Sequence, residues 1–110
     1  MEEIFVQKEI VESDTTRHLY ILNLNTQKLT TDRKGIFEAL WAENICCNVH
    51  YIPIYYFPYY QKRGYKKGIC PEAEKLYENI ISLPIYYSMS GQDVEDVING
   101  VKKVINYYKK

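Results

Sequence analysis

Several features that mark specialised classes of protein are missing from this sequence. Lysine plus arginine number 14 and aspartate plus glutamate also number 14, so no net charge attracts a polyanion. The one basic cluster, within residues 62–67, is typical of a solvated loop. No apolar run approaches the ~20 residues that a membrane span needs, and the opening Met1-Glu2-Glu3 is unlike a signal peptide. We therefore expect a cytoplasmic protein with no nucleic-acid or membrane partner.

Cysteine is also scarce, and its spacing argues against disulfides and metal sites. Three cysteines are an odd number in a chain without an export signal, which predicts reduced thiols. Cys46 and Cys47 are adjacent and would point to opposite faces of a strand. No C-x-x-C or H-x-x-x-H spacing completes a zinc site. We interpret all three cysteines, including Cys70, as packing residues and expect no metal.

Motifs of catalysis are absent as well. The chain has no P-loop, no G-x-S-x-G, no H-E-x-x-H and no glycine fingerprint of a dinucleotide-binding fold. His18 and His50 lie in adjacent predicted strands, so the two side chains could approach each other in space. A histidine at a strand end is more often a hydrogen-bonded structural residue than a catalyst. The residues alone therefore predict no catalytic group.

The remaining composition is that of an ordinary globular domain. The chain has 110 residues, of which 46% are hydrophobic and 25% are charged. A chain of this size buries roughly two thirds of its surface on folding, which is enough for a core without disulfides or a metal. We therefore expect a single domain over residues 1–110.

Hydrophobic periodicity predicts both strands and helices. Four segments are predicted to be extended: 4–11, 18–24, 45–51 and 80–87, the last broken by Pro84. One predicted helix is capped by Thr30 or Thr31 and stops at Asn44, and another begins at Pro71 with Ala73, Leu76 and Tyr77 on its apolar face. We expect an α/β fold of the two-layer α+β kind. In it, helices pack against one face of a small, mostly antiparallel sheet.

The last predicted helix is the clearest element. Ser90 and Asp93 have the spacing of a capping box. The apolar residues that follow recur at helical spacing, and we interpret their stripe as core. The stripe consists of Val94, Val97, Ile98, Val101, Val104, Ile105 and Tyr108.

The oddest segment is residues 51–60, which is mostly aromatic. Its prolines, Pro53 and Pro58, prevent regular strand pairing, so we predict an extended aromatic loop. Gly64 and Gly68 mark turns after it.

The run from Asn44 to Ile54, followed by Pro58-Tyr59-Tyr60-Gln61, resembles the C-terminal region of the DegT/DnrJ/EryC1/StrS sugar aminotransferases. Further agreements follow in order along nearly the whole chain. They are His18-Leu19-Tyr20, Arg33 before Ile36, Cys70-Pro71-Glu72-Ala73-Glu74, Ser82-Leu83-Pro84-Ile85-Tyr86, Met89 and Asp93-Val94. The resemblance implies the fold of the small C-terminal domain of a fold-type I aminotransferase. The resemblance is strongest to enzymes of pseudaminic acid or spore coat polysaccharide biosynthesis.

The resemblance also implies a cofactor that this chain does not hold. Full-length members use pyridoxal phosphate, and the lysine that binds it lies in a large N-terminal domain that is absent here. We therefore expect no catalytic or cofactor-binding residue in this chain, and no activity of the chain alone. The parent enzyme would transfer an amino group from glutamate to a UDP-linked 4-keto-6-deoxy sugar. It would act as a homodimer, and the missing large domain would be a partner of this chain.

Five residues are implied to bind the nucleotide sugar. By resemblance, His18, His50 and Tyr51 border the substrate cleft, and Tyr59 and Tyr60 lie near the substrate or the dimer partner. A tyrosine can stack on a sugar ring while its hydroxyl donates a hydrogen bond. Alternatively, the aromatic side chains of residues 55–60 cover surface that the large domain buries. In either case we expect an isolated small domain to expose an apolar patch that involves residues 55–60. A free-standing, tyrosine-rich carbohydrate-binding or self-assembly module is the other possibility.

Overall fold

Three short strands form one antiparallel sheet. In the computed structural model, which describes residues 1–110, strand β1 is Ile4–Val6, β2 is Tyr20–Leu24 and β3 is Ile80–Leu83. The strand order is β1-β2-β3, with Leu22 of β2 opposite Val6 on one side and Ile81 on the other. The small antiparallel sheet is as predicted.

Four α-helices complete the domain: α1 (Arg33–Ala42), α2 (Pro58–Gln61), α3 (Pro71–Asn79) and α4 (Gly91–Tyr108). Helices α1 and α4 cover one face of the sheet, where five side chains are almost wholly enclosed: Leu22, Ile36, Leu40, Ile81 and Ile105. None of the helices has the length and apolar character of a membrane-spanning segment.

Local capping chemistry decides where the helices begin and end. The Asp32 side chain caps α1 by accepting a hydrogen bond from the Gly35 N–H at 3.0 Å, so the prediction of a threonine cap is wrong. Aspartate is the stronger N-cap of the two residue types. Asn44 has φ 61°, which confirms the predicted left-handed stop after α1. The Ser90–Asp93 capping box of α4 is also confirmed.

Residues 45–51 do not form the predicted strand. Only Asn48 pairs with the sheet, through an isolated bridge to Ser82 at the outer edge of β3. The Trp41 indole N–H donates to the Cys47 carbonyl at 3.0 Å and ties this segment to α1. Cys47 is buried while Cys46 is exposed, so the two thiols do point to opposite sides.

Residues 51–60 are more compact than the predicted extended loop. They contain a 3-10 turn at Ile54–Tyr56 and then α2, in which Pro58 occupies the first helical position. The fixed φ of proline suits a first helical turn, which explains why this proline begins a helix rather than an extended segment. Gly64 and Gly68 have φ 94° and 95°, which confirms the predicted turns.

Two predicted apolar faces are buried only in part. In α3, Ala73 and Leu76 are exposed and Tyr77 is half-buried, so the predicted face does not pack into the core. In α4, the C-terminal half of the stripe is core, but Val94 and Ile98 near the N-terminus are exposed. Periodicity identifies the apolar side of a helix but not how far along it the sheet extends.

Candidate functional site

The edge of β3 holds a buried serine beside a histidine. Backbone hydrogen bonds join Asn48 and Ser82 in both directions, at 3.0 and 2.8 Å, and hold the chain from Cys47 onward against this edge. His50 follows two residues later, and its Nδ1 lies 2.9 Å from the Ser82 Oγ. Ser82 is only 4% exposed, whereas His50 is half-buried. The pairing with Asn48 therefore brings a partly accessible imidazole onto an enclosed hydroxyl.

Tyr51 stands next to this imidazole on the surface. Its ring centroid is 4.7 Å from that of His50, and the two rings meet edge to face at 73°. Tyr51 is 72% exposed, and the His50 Nε2 has no hydrogen-bond partner within the chain. The pair therefore offers one free ring nitrogen, one accessible aromatic face and one phenolic hydroxyl, a set of groups suited to a polar ring such as a sugar.

His18 does not join this pair. It is exposed in the segment before β2, and no hydrogen bond or ring contact links it to His50 or Tyr51. The prediction that the two histidines approach each other depended on adjacent strands. Residues 45–51 instead border the outer edge of β3, so β3 lies between them and β2.

Tyr59 and Tyr60 belong to a separate aromatic cluster on α2. Their ring centroids are 5.2 Å apart, and Tyr60 is 6.0 Å from Tyr65. The Arg63 guanidinium carbon lies 4.6 Å from the centroid of the Tyr59 ring, a cation–π arrangement. Tyr59 is exposed and Tyr60 is half-buried. Of the five predicted site residues, the structure joins only His50 with Tyr51 and Tyr59 with Tyr60.

Tyr55 has a structural role that the sequence did not reveal. It is 8% exposed, and its hydroxyl donates to the Glu74 Oε1 at 2.7 Å. The Gly68 N–H donates to the same oxygen at 2.6 Å. Burial, and then the adjacent Glu74 carboxylate, raise the pKa of the Tyr55 hydroxyl far above its ordinary value. The hydrogen bond from Tyr55, followed by that from Gly68, lowers the pKa of Glu74.

An apolar concavity opens elsewhere, between the N-terminal half of α4 and the core face of β1 and β2. Its volume is about 400 Å³, and Arg17 and Lys102 are its only charged lining residues. The apolar side chains that line it include Ile4, Val6, Leu22, Val94, Val97 and Ile98. None of residues 55–60 lines it, so this apolar surface lies away from the aromatic segment where we expected one.

Solved structures of aminotransferases share this fold. The Streptococcus pneumoniae protein Spr1654, a sugar aminotransferase crystallised in its PMP form, superposes with a TM-score of 0.85 at 28% identity, over 96% of this chain and 26% of that one. Helicobacter pylori PseC, an aminotransferase of pseudaminic acid biosynthesis, superposes with a TM-score of 0.80 at 28% identity, over 89% of this chain and 26% of that one.

Residues 1–102 match the DegT/DnrJ/EryC1/StrS aminotransferase family, and the chain belongs to that family. It is 48% identical over 90 residues to MJ1066 of Methanocaldococcus jannaschii, covering 81% of this chain and 23% of that protein. It is 43% identical over 90 residues to the spore coat polysaccharide biosynthesis protein SpsC of Bacillus subtilis, covering 80% of this chain and 23% of SpsC. The chain thus spans about a quarter of the length of these relatives.

The side chains of this chain do not fit pyridoxal phosphate, the cofactor of the family. Its chemistry requires a lysine amine at the cofactor aldehyde and an acidic group facing the ring nitrogen. Every lysine here is exposed, and Lys109, next to the buried Glu3, is engaged in a 2.8 Å ion pair with it. No three His, Cys, Asp or Glu side chains converge as metal ligands would.

Proposed function

We propose that this chain acts as the C-terminal small domain of a nucleotide-sugar aminotransferase. The observation that carries the proposal is its membership of the family over residues 1–102, together with the shared fold. The reaction would be amino transfer from glutamate to a UDP-linked 4-keto-6-deoxy sugar, in surface or spore coat polysaccharide biosynthesis. Similarity to SpsC and to PseC supports this class of substrate.

In this proposal, His50 and Tyr51 form the part of the sugar-binding surface that this domain supplies. The Tyr51 ring is accessible for stacking on a sugar ring, and its hydroxyl can donate a hydrogen bond. The free Nε2 of His50 lies beside it and hydrogen-bonds an oxygen of the substrate. Both residues bind and orient the substrate, and neither supplies the chemistry of amino transfer.

The remaining predicted residues take more distant roles. Tyr59 and Tyr60 contact the nucleotide portion of the substrate or a second subunit of the homodimer. The Arg63 guanidinium next to Tyr59 adds a positive charge that suits a diphosphate. His18 borders the cleft from the segment that precedes β2.

The chain requires a large cofactor-binding domain and is inert alone. No lysine is enclosed, so no side chain here is arranged for Schiff-base chemistry. The relatives have about three quarters of their length outside the matched segment. We assign the apolar concavity beside α4 as the surface on which that large domain packs, because exposed apolar surface of this kind marks protein contacts.

A carbohydrate-binding module is the second candidate function. The exposure of Tyr51 and Tyr59 favours it, since accessible tyrosine rings bind sugars without any cofactor. Such a module would bind a sugar tightly as an isolated domain and would need no large domain.

One pair of assays separates the two candidates. The purified chain is mixed with pyridoxal phosphate, glutamate and the UDP-linked 4-keto sugar, and amino-sugar formation is followed. In parallel, the binding of UDP-N-acetylglucosamine and of the free sugar is measured by tyrosine and tryptophan fluorescence. We expect no amino sugar and only weak binding by the isolated chain. Tight, saturable binding of the free sugar would favour the carbohydrate-binding module, and formation of amino sugar would refute the dependence on a large domain.

A further inference from the structure

The hydroxyl of Ser82 has a single hydrogen-bond partner. Ser82 is almost wholly enclosed, and its backbone N–H and C=O are both paired with Asn48. The hydrogen-bond partner of its Oγ is the His50 Nδ1 at 2.9 Å. The Asn48 side-chain oxygen accepts from the Val49 N–H at 2.7 Å and makes no hydrogen bond with the hydroxyl.

This arrangement distinguishes the two neutral forms of the imidazole. A serine hydroxyl carries one proton to donate, and a neutral histidine has one N–H and one acceptor nitrogen. If the proton of His50 is on Nδ1, that nitrogen donates to Ser82, and the enclosed hydroxyl proton then has no acceptor. If the proton is on Nε2, the hydroxyl donates to Nδ1 and both groups are satisfied. Enclosed polar groups in proteins are nearly always paired, so the second form is favoured.

We propose that Ser82 is a positioning residue that holds His50 in the tautomer protonated on Nε2. The ring then presents a neutral N–H donor to the surface beside Tyr51. The chemistry that this donor recognises is an oxygen acceptor on the substrate, either a sugar oxygen or a diphosphate oxygen. Only this last step rests on the proposed function, because the tautomer itself depends on the contact between Ser82 and His50.

Nitrogen chemical shifts of the imidazole rings test the tautomer directly. The chain is labelled with ¹⁵N-histidine, and both nitrogens of each ring are observed at a pH well above the ordinary histidine pKa of about 6.5. We expect His50 to be almost entirely protonated on Nε2 in the native sequence. His18, which is exposed and has no partner, serves as the internal reference for an unrestrained mixture. Protonation of His50 on Nδ1, or a mixture like that of His18, overturns the proposal.

Two variants separate positioning from folding. Ser82→Ala removes the donor and is expected to give His50 the tautomer mixture of His18. Ser82→Thr keeps the hydroxyl and suits a strand, so it is expected to retain the native tautomer. An unchanged His50 tautomer in a folded Ser82→Ala chain would contradict the proposal. Should Ser82→Ala fail to fold, the native and Ser82→Thr spectra still decide the question.

Ligand titrations distinguish this inference from the proposed function. UDP and UDP-N-acetylglucosamine are added separately to the labelled chain. A shift of the His50 Nε2 with both ligands assigns the donor to a diphosphate oxygen, and a shift with the sugar nucleotide alone assigns it to a sugar oxygen. For the ligand that shifts the Nε2 signal, Ser82→Ala is expected to raise the Kd about fivefold, the effect of losing one modest hydrogen bond. If neither ligand moves the Nε2 signal, the proposed contact between His50 and the substrate is refuted. The tautomer measurement still tests the role of Ser82.

Discussion

The Tyr55 hydroxyl donates a 2.7 Å hydrogen bond to Glu74 and thereby joins the aromatic segment to α3. The Gly68 N–H donates to the same carboxylate oxygen, so the turn at Gly68 is held at the same point. This contact holds the Tyr55 side chain inward. Tyr55 is withdrawn from the surface, while Tyr51 and Tyr59, on either side of it in sequence, remain accessible.

Replacing Tyr55 with phenylalanine is therefore expected to destabilise the domain. The ring still packs, but Glu74 loses the hydrogen bond from the Tyr55 hydroxyl. We expect a lower urea midpoint in Tyr55→Phe and an unchanged midpoint in Tyr59→Phe, whose ring is exposed. Equal midpoints for the two variants would show that the Tyr55 hydroxyl contributes nothing.

The same tyrosine predicts an alkaline limit to stability. Burial raises the pKa of Tyr55 in the folded chain above that of the unfolded chain, so the unfolded state ionises first. The stabilisation that the protonated Tyr55 hydroxyl gives the fold is complete below the ordinary tyrosine pKa of about 10, and it is lost as the pH rises above that value. Urea midpoints measured across this range are expected to fall more steeply for the native chain than for Tyr55→Phe. Parallel profiles would contradict this assignment.

The ion pair between Glu3 and Lys109 predicts the response to acid. The Glu3 side chain is enclosed, and the hydrogen bond from Lys109 is the main cause of its lowered pKa. Because the Glu3 pKa is lowered in the fold, the ionised carboxylate stabilises the fold at pH values above the ordinary carboxyl pKa of about 4.3. This stabilisation is lost as the pH falls below that value. Lys109→Met leaves the carboxylate unpaired, so we expect a lower urea midpoint at pH 7 and a flatter acid profile.

The matched control for that variant is Lys103→Met. Lys103 forms a 2.8 Å ion pair with Glu43, but both side chains are more exposed to solvent than Glu3. Exposed ion pairs contribute little because water screens them. A loss of stability as large as that of Lys109→Met would contradict the distinction between the two pairs.

Leu40 and Leu76 provide a matched test of the core. Leu40 of α1 is 0% exposed, whereas Leu76 of α3 is 48% exposed. We expect Leu40→Ala to lower the free energy of unfolding by about 2–5 kcal/mol, the range for a buried leucine. Leu76→Ala is expected to change it by no more than about 0.5 kcal/mol. Comparable losses, measured by urea unfolding, would show that α3 packs into the core after all.

The apolar concavity predicts self-association of the isolated chain. Val94 and Ile98 of α4 are exposed apolar residues that line it, and no other part of the chain covers them. We expect sedimentation at rising concentration to show reversible association, which Ile98→Lys abolishes. Tyr87→Lys is the control, because Tyr87 is fully exposed and lies outside the concavity. A native chain that remains monomeric at every concentration would contradict this use of the surface.

Local signals in the sequence predicted the parts of the fold that depend on neighbouring residues. Asn44 and the Ser90–Asp93 box determine helix ends through contacts within one turn, so their residue types are sufficient evidence. Strand β2 was also predictable, because it falls within the apolar segment 18–24.

Contacts between distant residues were not predictable in the same way. Ser82 and His50 are 32 residues apart, and Tyr55 and Glu74 are 19 apart, so no local pattern links either pair. The predicted strand over residues 45–51 failed for a different reason. Its β-branched and apolar residues suit a strand, but the Cys47 N–H bonds the Ile45 carbonyl at 2.8 Å in a tight turn that interrupts the extended backbone, so only Asn48 pairs with β3.

The most direct test of the proposed function is a chimera with Helicobacter pylori PseC. The part of PseC that superposes on this chain is replaced by residues 1–110, and amino transfer to the enzyme's own sugar substrate is measured. We expect the chimera to be active. Substituting His50→Ala or Tyr51→Ala in it is expected to raise KM about tenfold while pyridoxal phosphate remains bound. A folded, cofactor-loaded chimera that is inactive, or one indifferent to both substitutions, would contradict the account.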